Sequence, residues 1–261
     1  MLIVQRRLVS SYDADAQTYF TAVEAADGQS LESAVKDAIN AFIVGCKTDG
    51  TWSAIKASCI LAGARTLAGA LVPLVGAAPT NTNSNFVSGD YDRKTGLKGG
   101  TATGASAKRL NSNRLATADG LNDFHLSVYQ TLVDSGSGYP LLIGAGYGDY
   151  GIGTRSADTK AFFFRTKSNV TSNIGSSVTG FVGMSRASAS SYTARFNNAN
   201  QTLSVSTTSA PALNVNVFSD SGNSFSYNGR LSFYSIGSSL TLASLNARLV
   251  TLMAALSAAI P

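Results

Sequence analysis

The chain has 261 residues, which is enough for one large β-sandwich or two small domains. Charged residues make up only 13%, about half of the roughly 25% that is typical of soluble domains. The net charge is +5, and its basic residues are scattered rather than gathered into a run, which excludes a nucleic-acid-binding tail. So few charges are typical of secreted β proteins and virion components, and they favour a large self-assembling interface. A basic face that meets an anionic partner, such as lipopolysaccharide or an acidic capsid, stays open, although a solvated surface is favoured.

Targeting and membrane segments are not expected. The first residues, MLIVQRRLVSS, have too short an apolar run before Gln5 and Arg6 to form a signal peptide. The nearest approach to a membrane helix is 57–78, which Arg65 and Pro73 interrupt. We therefore expect synthesis and assembly in the cytoplasm, without membrane insertion.

The first part of the chain, 1–78, reads as a helical attachment region. A helix capped by Asp13 or Asp15 would bury Tyr19, Phe20 and Val23, and a second helix fits 30–45. A third helix is expected after Thr51, with a buried side formed by Trp52, Ile55, Cys59 and Ile60.

The cysteines are Cys46 and Cys59, and two in 261 residues do not make a disulfide scaffold. They flank a predicted corner between helices, so the spacing leaves a bridge open. Two buried thiols are favoured.

The composition changes near residue 79, where PTNTNSN forms a polar linker, and 79–261 is expected to be one unit. Short alternating segments follow, separated by Gly, Asn and Ser turns. Examples are FHLSVYQTL (124–132), with Phe124, Leu126 and Val128 on one face, and SYTARF, with Tyr192, Ala194 and Phe196 alternating. The pattern predicts a mainly β fold, an antiparallel β-sandwich or jelly roll.

A C-terminal helix over 240–259 closes the predicted fold. Its leucines recur at alternating spacings of three and four: Leu242, Leu245, Leu249, Leu252 and Leu256. This stripe fits a coiled-coil seam between subunits, but packing on the sandwich or on the N-terminal helices is favoured because the helix holds fewer than about three heptads.

The residues give no catalytic signature. His125, the single histidine, is expected at the surface or in an interface, and no GxSxG, HExxH or CxxC pattern occurs. The β region contains no glutamate, so the paired carboxylates of a glycosidase are missing. A polysaccharide depolymerase would have to combine distant aspartates, for instance Asp123 with Asp149. The sequence therefore predicts a protein that is not an enzyme and that has no cofactor.

A glycine-rich stretch, IGAGYGDYGIG (143–153), is the candidate ligand loop. A dinucleotide fingerprint needs a following helix and an acidic residue about twenty positions further on, and this stretch is followed by neither, so a sandwich rim is favoured. As a ligand loop it would use Tyr147 and Tyr150 to stack on a sugar and Asp149 to hydrogen-bond its hydroxyls.

A second acidic stretch, SGDYDRKTG (88–96), places Asp90 and Asp92 two residues apart. Calcium needs several oxygen ligands, and a bidentate glutamate is missing here. An ordinary turn is favoured, and no metal site is predicted.

Three stretches resemble a known class of protein. DGTWSAIKASCILAGARTLAGALVPLVGAAPTN (49–81) and NFVSGDYDRKTGLKG (85–99) resemble a module of phage and prophage proteins. RLSFYSIGSSLTLASLNARLVTLMAAL (230–256) resembles the terminal strand and helix of laminin-G-like, concanavalin A-like domains in phage tail and fibre proteins. With the hairpin GMSRASASSYTARFNN, the likeness covers most of 30–260. These motifs are structural, so no functional residue transfers.

The resemblance implies a structural component of a tailed-phage virion, expected to be a homotrimer that assembles with other virion proteins. Two positions compete: a tail fibre or receptor-binding protein whose sandwich rim contacts host-surface glycans, and a capsid decoration protein. The laminin-G likeness favours the tail fibre. The compact length favours the decoration protein or a small fibre tip. The first 30 residues carry no resemblance.

Overall fold

A computed structural model describes residues 12–81, 86–134, 139–146, 150–155, 161–166, 178–206 and 208–261. The described helices are α1 (Ala14–Asp27), α2 (Ser33–Thr48), α3 (Leu67–Ala70) and α4 (Leu242–Ala259). The described strands are β1 (Ile55–Ile60), β2 (Tyr91–Asp92), β3 (Gly96–Lys98), β4 (Leu110–Leu115), β5 (Phe124–Leu132), β6 (Leu141–Ala145), β7 (Tyr150–Arg155), β8 (Ala161–Thr166), β9 (Gly180–Arg186), β10 (Ser191–Phe196), β11 (Ala199–Ser204), β12 (Asn214–Val217) and β13 (Arg230–Gly237).

The strands form two antiparallel sheets. The larger has eight strands in the order β11-β10-β9-β5-β13-β3-β2, with β1 also paired to β13. The smaller has five strands in the order β4-β12-β6-β7-β8. The predicted fold class, a mainly β antiparallel sandwich with N-terminal helices and a C-terminal helix, is confirmed.

The two sheets pack face to face around one hydrophobic core. In β5, the alternating residues Phe124, Leu126 and Val128 point inwards, as their period of two predicts. They meet residues of the smaller sheet such as Ile152 and Tyr150, whose ring centroid lies 5.2 Å from that of Phe124. Burying each such side chain stabilises the fold by about 1.5–3 kcal/mol.

A second core lies between the outer face of the eight-stranded sheet and helices α1, α2 and α4. The leucine stripe of α4 is buried here, within the subunit, at 0–3% exposure: Leu242, Leu245, Leu249, Leu252 and Leu256. By length and by its mean hydropathy of 1.4, α4 would also pass as a membrane span. A core helix meets the same criteria, and the stripe already packs on protein.

Polar contacts tie this helical layer to the sheets. The Asp27 carboxylate accepts hydrogen bonds from the backbone N–H groups of Arg65 (2.7 Å) and Thr66 (2.9 Å). The Glu32 carboxylate accepts hydrogen bonds from both terminal nitrogens of Arg93, at 3.1 and 2.8 Å. These bonds fix the chain that leaves β1 against the helices.

The prediction of a third helix after Thr51 is wrong. Residues Trp52–Ala54 form one 3₁₀ turn, and Ile55–Ile60 then form β1, which pairs with β13 inside the sandwich. A short apolar run fits helix and strand equally well, and the long-range partner β13 decides between them. The prediction that 1–78 is helical is therefore wrong at Ile55–Ile60, while an attachment role for this region stays a prediction.

Both cysteines are free and buried, as predicted. Burial raises the pKa of the Cys46 thiol to about 11 and that of Cys59 to about 12. The Cys59 sulfur lies 3.4 Å from the hydroxyl of Tyr234.

Candidate functional site

An open groove lies where the N-terminal end of α4 meets the outer face of β9 and β10. The groove has a volume of about 570 Å³. Helix α4 can approach the sheet closely here because β9 carries a glycine: a Cβ on Gly183 would lie 3.0 Å from Leu242 Cδ2. We call this cavity the hydroxyl groove, after its lining: Ser185, Ala187, Ser188, Ser191, Tyr192, Thr193, Asn200, Ser239, Leu240, Thr241, Leu242 and Ala243.

Strand register explains why hydroxyls gather there. Tyr192 and Ala194 of β10 point into the sandwich core, so Ser191, Thr193 and Arg195 point to the opposite face. Thr193 pairs directly with Ser185 of β9 and with Thr202 of β11, and Ser191 pairs with Ser204. Cross-strand partners share a face, so a polar strip crosses three strands beside α4.

Some hydroxyls of the groove hold the protein together, and others are available. Ser185 Oγ accepts the backbone N–H of Leu240 at 3.0 Å, and Ser239 Oγ donates to Asp123 at 2.6 Å. Among the described residues, the hydroxyls of Ser191, Thr193 and Thr241 make no hydrogen bond within the protein. Each hydroxyl can donate and accept, which suits a ligand that carries hydroxyls itself.

The predicted sugar-binding loop is not part of this groove. Tyr147 and Asp149 lie outside the described residues. Tyr150 begins β7 with its ring in the sandwich core, at 4% exposure, so its prediction as a ligand contact is wrong. Burial holds the pKa of its hydroxyl well above the usual range. The alternation that starts at Tyr150 sends this side chain inwards.

The prediction of a surface or interface histidine is also wrong. His125 is fully buried on the outer face of β5, because the turn before α4 covers it. Its Nδ1 lies 2.6 Å from the backbone oxygen of Ser238, and its Nε2 lies 3.0 Å from Ser235 Oγ. Ser127 Oγ lies a further 2.7 Å from that of Ser235. Desolvation by burial lowers the pKa of His125 to about 4, so the ring is neutral.

The acidic stretch forms an ordinary turn, as favoured. Asp92 accepts the backbone N–H groups of Lys94 (3.0 Å) and Thr95 (2.8 Å), and Asp90 pairs with Lys108. Among the described residues, no cluster of three or more His, Cys, Asp or Glu side chains could hold a metal ion. Asp123, one half of the proposed depolymerase pair, is bonded to Ser239, and the other half is not described.

Sequence reasoning missed the hydroxyl groove. A signal is present in SYTARF, because the residues that alternate with the inward set are Ser191, Thr193 and Arg195, all of them polar. Serines and threonines in strands are common, so this pattern gains meaning only once the register places it beside α4.

Comparisons with known proteins give distant likenesses. No family model matches the chain, and no curated protein matches it significantly. Among solved structures, a Trypanosoma rangeli sialidase is similar with a TM-score of 0.48, 8% identity, and coverage of 83% of this chain and 38% of the sialidase. The binding domain of botulinum neurotoxin DC, in complex with SialylT, has a TM-score of 0.41, 15% identity, and coverage of 59% and 41%. Domain 4 of an extracellular arabinanase from Geobacillus stearothermophilus, in complex with arabinotriose, has a TM-score of 0.36, 11% identity, and coverage of 59% and 82%.

Of three of the similar structures, among them the neurotoxin domain, the chain spans only 39%, 23% and 41% of the length. These likenesses therefore carry no activity to the chain. They do contradict one expectation. The sequence predicted a protein that is not an enzyme, whereas sialidases and an α-L-arabinofuranosidase stand among the structures similar to it. The prediction that the protein is not an enzyme therefore does not stand.

Proposed function

We propose that this protein binds carbohydrate in the hydroxyl groove. The observation that carries the proposal is the lining of the groove, where the free hydroxyls of Ser191, Thr193 and Thr241 surround a cavity of about 570 Å³. The cavity is within the usual size range of small-molecule sites, roughly 300–1,000 Å³. A ligand rich in hydroxyls would exchange donors and acceptors with this wall.

The sequence resemblance supports a further proposal about where the binding takes place. We propose that the protein is a structural component of a tailed-phage virion, and that its groove contacts glycans of the host surface as part of a tail fibre. A capsid decoration protein is the second candidate, favoured by the compact length. A homotrimer is proposed in either position.

A glycan array read with the labelled protein tests the binding proposal. Thr193→Val keeps the shape and the strand propensity of the side chain but removes its hydroxyl. We expect it to weaken binding by about 2- to 10-fold, the range for a neutral hydrogen bond of 0.5–1.5 kcal/mol. Thr21→Val on the exposed side of α1 is the matched control and should leave binding unchanged. Silence across the array, or equal binding by Thr193→Val, would remove the groove as the site. A reducing-sugar assay on each bound glycan tests hydrolysis.

Immunogold labelling of intact particles tests the virion proposal. Gold at the tail tip supports the fibre, and gold spread over the head supports the decoration protein. Particles without label would refute both. Light scattering of the purified protein measures its molar mass, and a trimer would give three times 26.9 kDa.

A further inference from the structure

One cation near the groove is buried without a counter-charge. Arg195 is 8% exposed, and its Nη1 donates to Asn200 Oδ1 at 2.6 Å. Its Nε is buried without a hydrogen-bond partner, and no described carboxylate pairs with it. Desolvation lowers the pKa of its guanidinium, although arginine stays charged at neutral pH. A buried cation without an anion is costly, so its neighbourhood favours negative charge.

Arg195 lies on the strand that forms one wall of the groove. It lies two residues beyond Thr193 on β10 and faces the same side of the sheet, about 7 Å further along the strand. Its partner Asn200 lines the groove directly. Arg195 is not itself among the residues that line the groove, so its charge acts on the cavity from behind Asn200, at the side formed by β10 and β11.

The opposite side of the groove adds partial positive charge. Helix α4 is 18 residues long, and Thr241 at its N-cap makes no side-chain capping bond. Thr241, Leu242 and Ala243 all line the groove. The first N–H groups of a helix and its dipole favour an anion at this end. Among the lining residues none is acidic, and Asp123, which bonds to Ser239, is not one of them.

We propose that the groove selects acidic glycans, with a carboxylate of the sugar held at the N-terminal end of α4 and favoured by the charge of Arg195 behind Asn200. This inference rests on the proposed carbohydrate binding and names the ligand class. One positive feature lines the cavity and a second lies beside it, and the described lining carries no negative charge. The free hydroxyls remain for the hydroxyls of the sugar. Neutral glycans would use the hydroxyls alone.

The experiment compares a uronic-acid oligosaccharide with its carboxyl-reduced counterpart by calorimetry on the full chain. We expect the acidic member to bind about 10- to 100-fold more tightly, the range for a hydrogen bond to a charged group. Arg195→Gln should abolish this preference and leave the affinity for the neutral member within about twofold. Arg109→Gln, which removes an arginine bonded to Ser221 in another part of the fold, is the control and should keep the preference.

A second pair of variants separates binding from folding. Thr241→Asp and Thr241→Asn both supply a cap to α4 and should raise the thermal midpoint. Both variants remove the Thr241 hydroxyl, so both should weaken the neutral ligand to a similar extent. The aspartate alone adds negative charge to the groove, so Thr241→Asp should bind the acidic ligand more weakly than Thr241→Asn does.

The outcomes are distinguishable. Equal affinity of the wild type for both members refutes the acidic preference while the carbohydrate proposal stands, and this holds even where Arg195→Gln fails to fold. Binding of neither member in this experiment, with silence on the glycan array, removes both proposals. A preference that survives in folded Arg195→Gln and in Thr241→Asp would assign the carboxylate to another part of the surface.

Discussion

Lowering the pH should destabilise this protein through His125. The pKa of this residue falls from an ordinary 6.5 to about 4 in the fold, because burial penalises the charged ring. The unfolded chain therefore binds a proton that the folded chain does not, between about pH 6.5 and pH 4. Stability is full above pH 6.5 and falls as the pH falls through that window.

The magnitude follows from the shift. Each pKa unit corresponds to 1.36 kcal/mol, so the full loss below pH 4 is about 3 kcal/mol, of which about 2 kcal/mol is gone at pH 5. This is a large part of the roughly 5–15 kcal/mol that holds an ordinary domain together. The effect can be assigned because the chain has a single histidine and its carboxylates titrate mainly below this window.

Urea unfolding at a series of pH values between 7.5 and 5, followed by the fluorescence of Trp52, measures this loss. His125→Asn retains a donor towards the Ser238 oxygen but does not titrate, so its free energy of unfolding should be almost flat over the same range. The variant will be less stable at pH 7.5 because the smaller side chain leaves a cavity. Parallel curves for the wild type and the variant, or a flat wild-type curve, would refute the reasoning.

Two further predictions concern the cores. Leu249→Ala should lower the free energy of unfolding by about 2–5 kcal/mol, because the side chain is fully buried between α4 and its neighbours. Val250→Ala, at 48% exposure on the same helix, should change it by less than about 0.5 kcal/mol, and equal losses would contradict the packing described. Cys46 and Cys59 should not react with a thiol reagent at pH 8 until urea unfolds the chain, and fast labelling of the native protein would show that these thiols are accessible.

The sequence predicted those elements in which a regular hydrophobic pattern extends over many residues. The nine residues of β5 are those of FHLSVYQTL, because alternation between a core face and an outer face leaves a clear period of two. The leucines of α4 fix its buried side in the same way. For β1, five apolar or small residues and Lys56 gave no such signal, and the pairing with β13, some 175 residues further along, determined its structure.

The hydroxyl groove could not be predicted for a related reason. Its parts come from β9, β10, β11 and the start of α4, and none of them carries a motif of its own. Antiparallel register brings Ser185, Thr193 and Thr202 into one row, and Gly183 lets the end of α4 lie close beside them. A single Ser or Thr in a strand says little about function, whereas a row of them near Arg195, which is buried without a carboxylate partner, is the basis of the proposed ligand class. Because the site depends on register, a shift of β10 by one residue would turn Tyr192 and Ala194 outwards and destroy the groove and the core together.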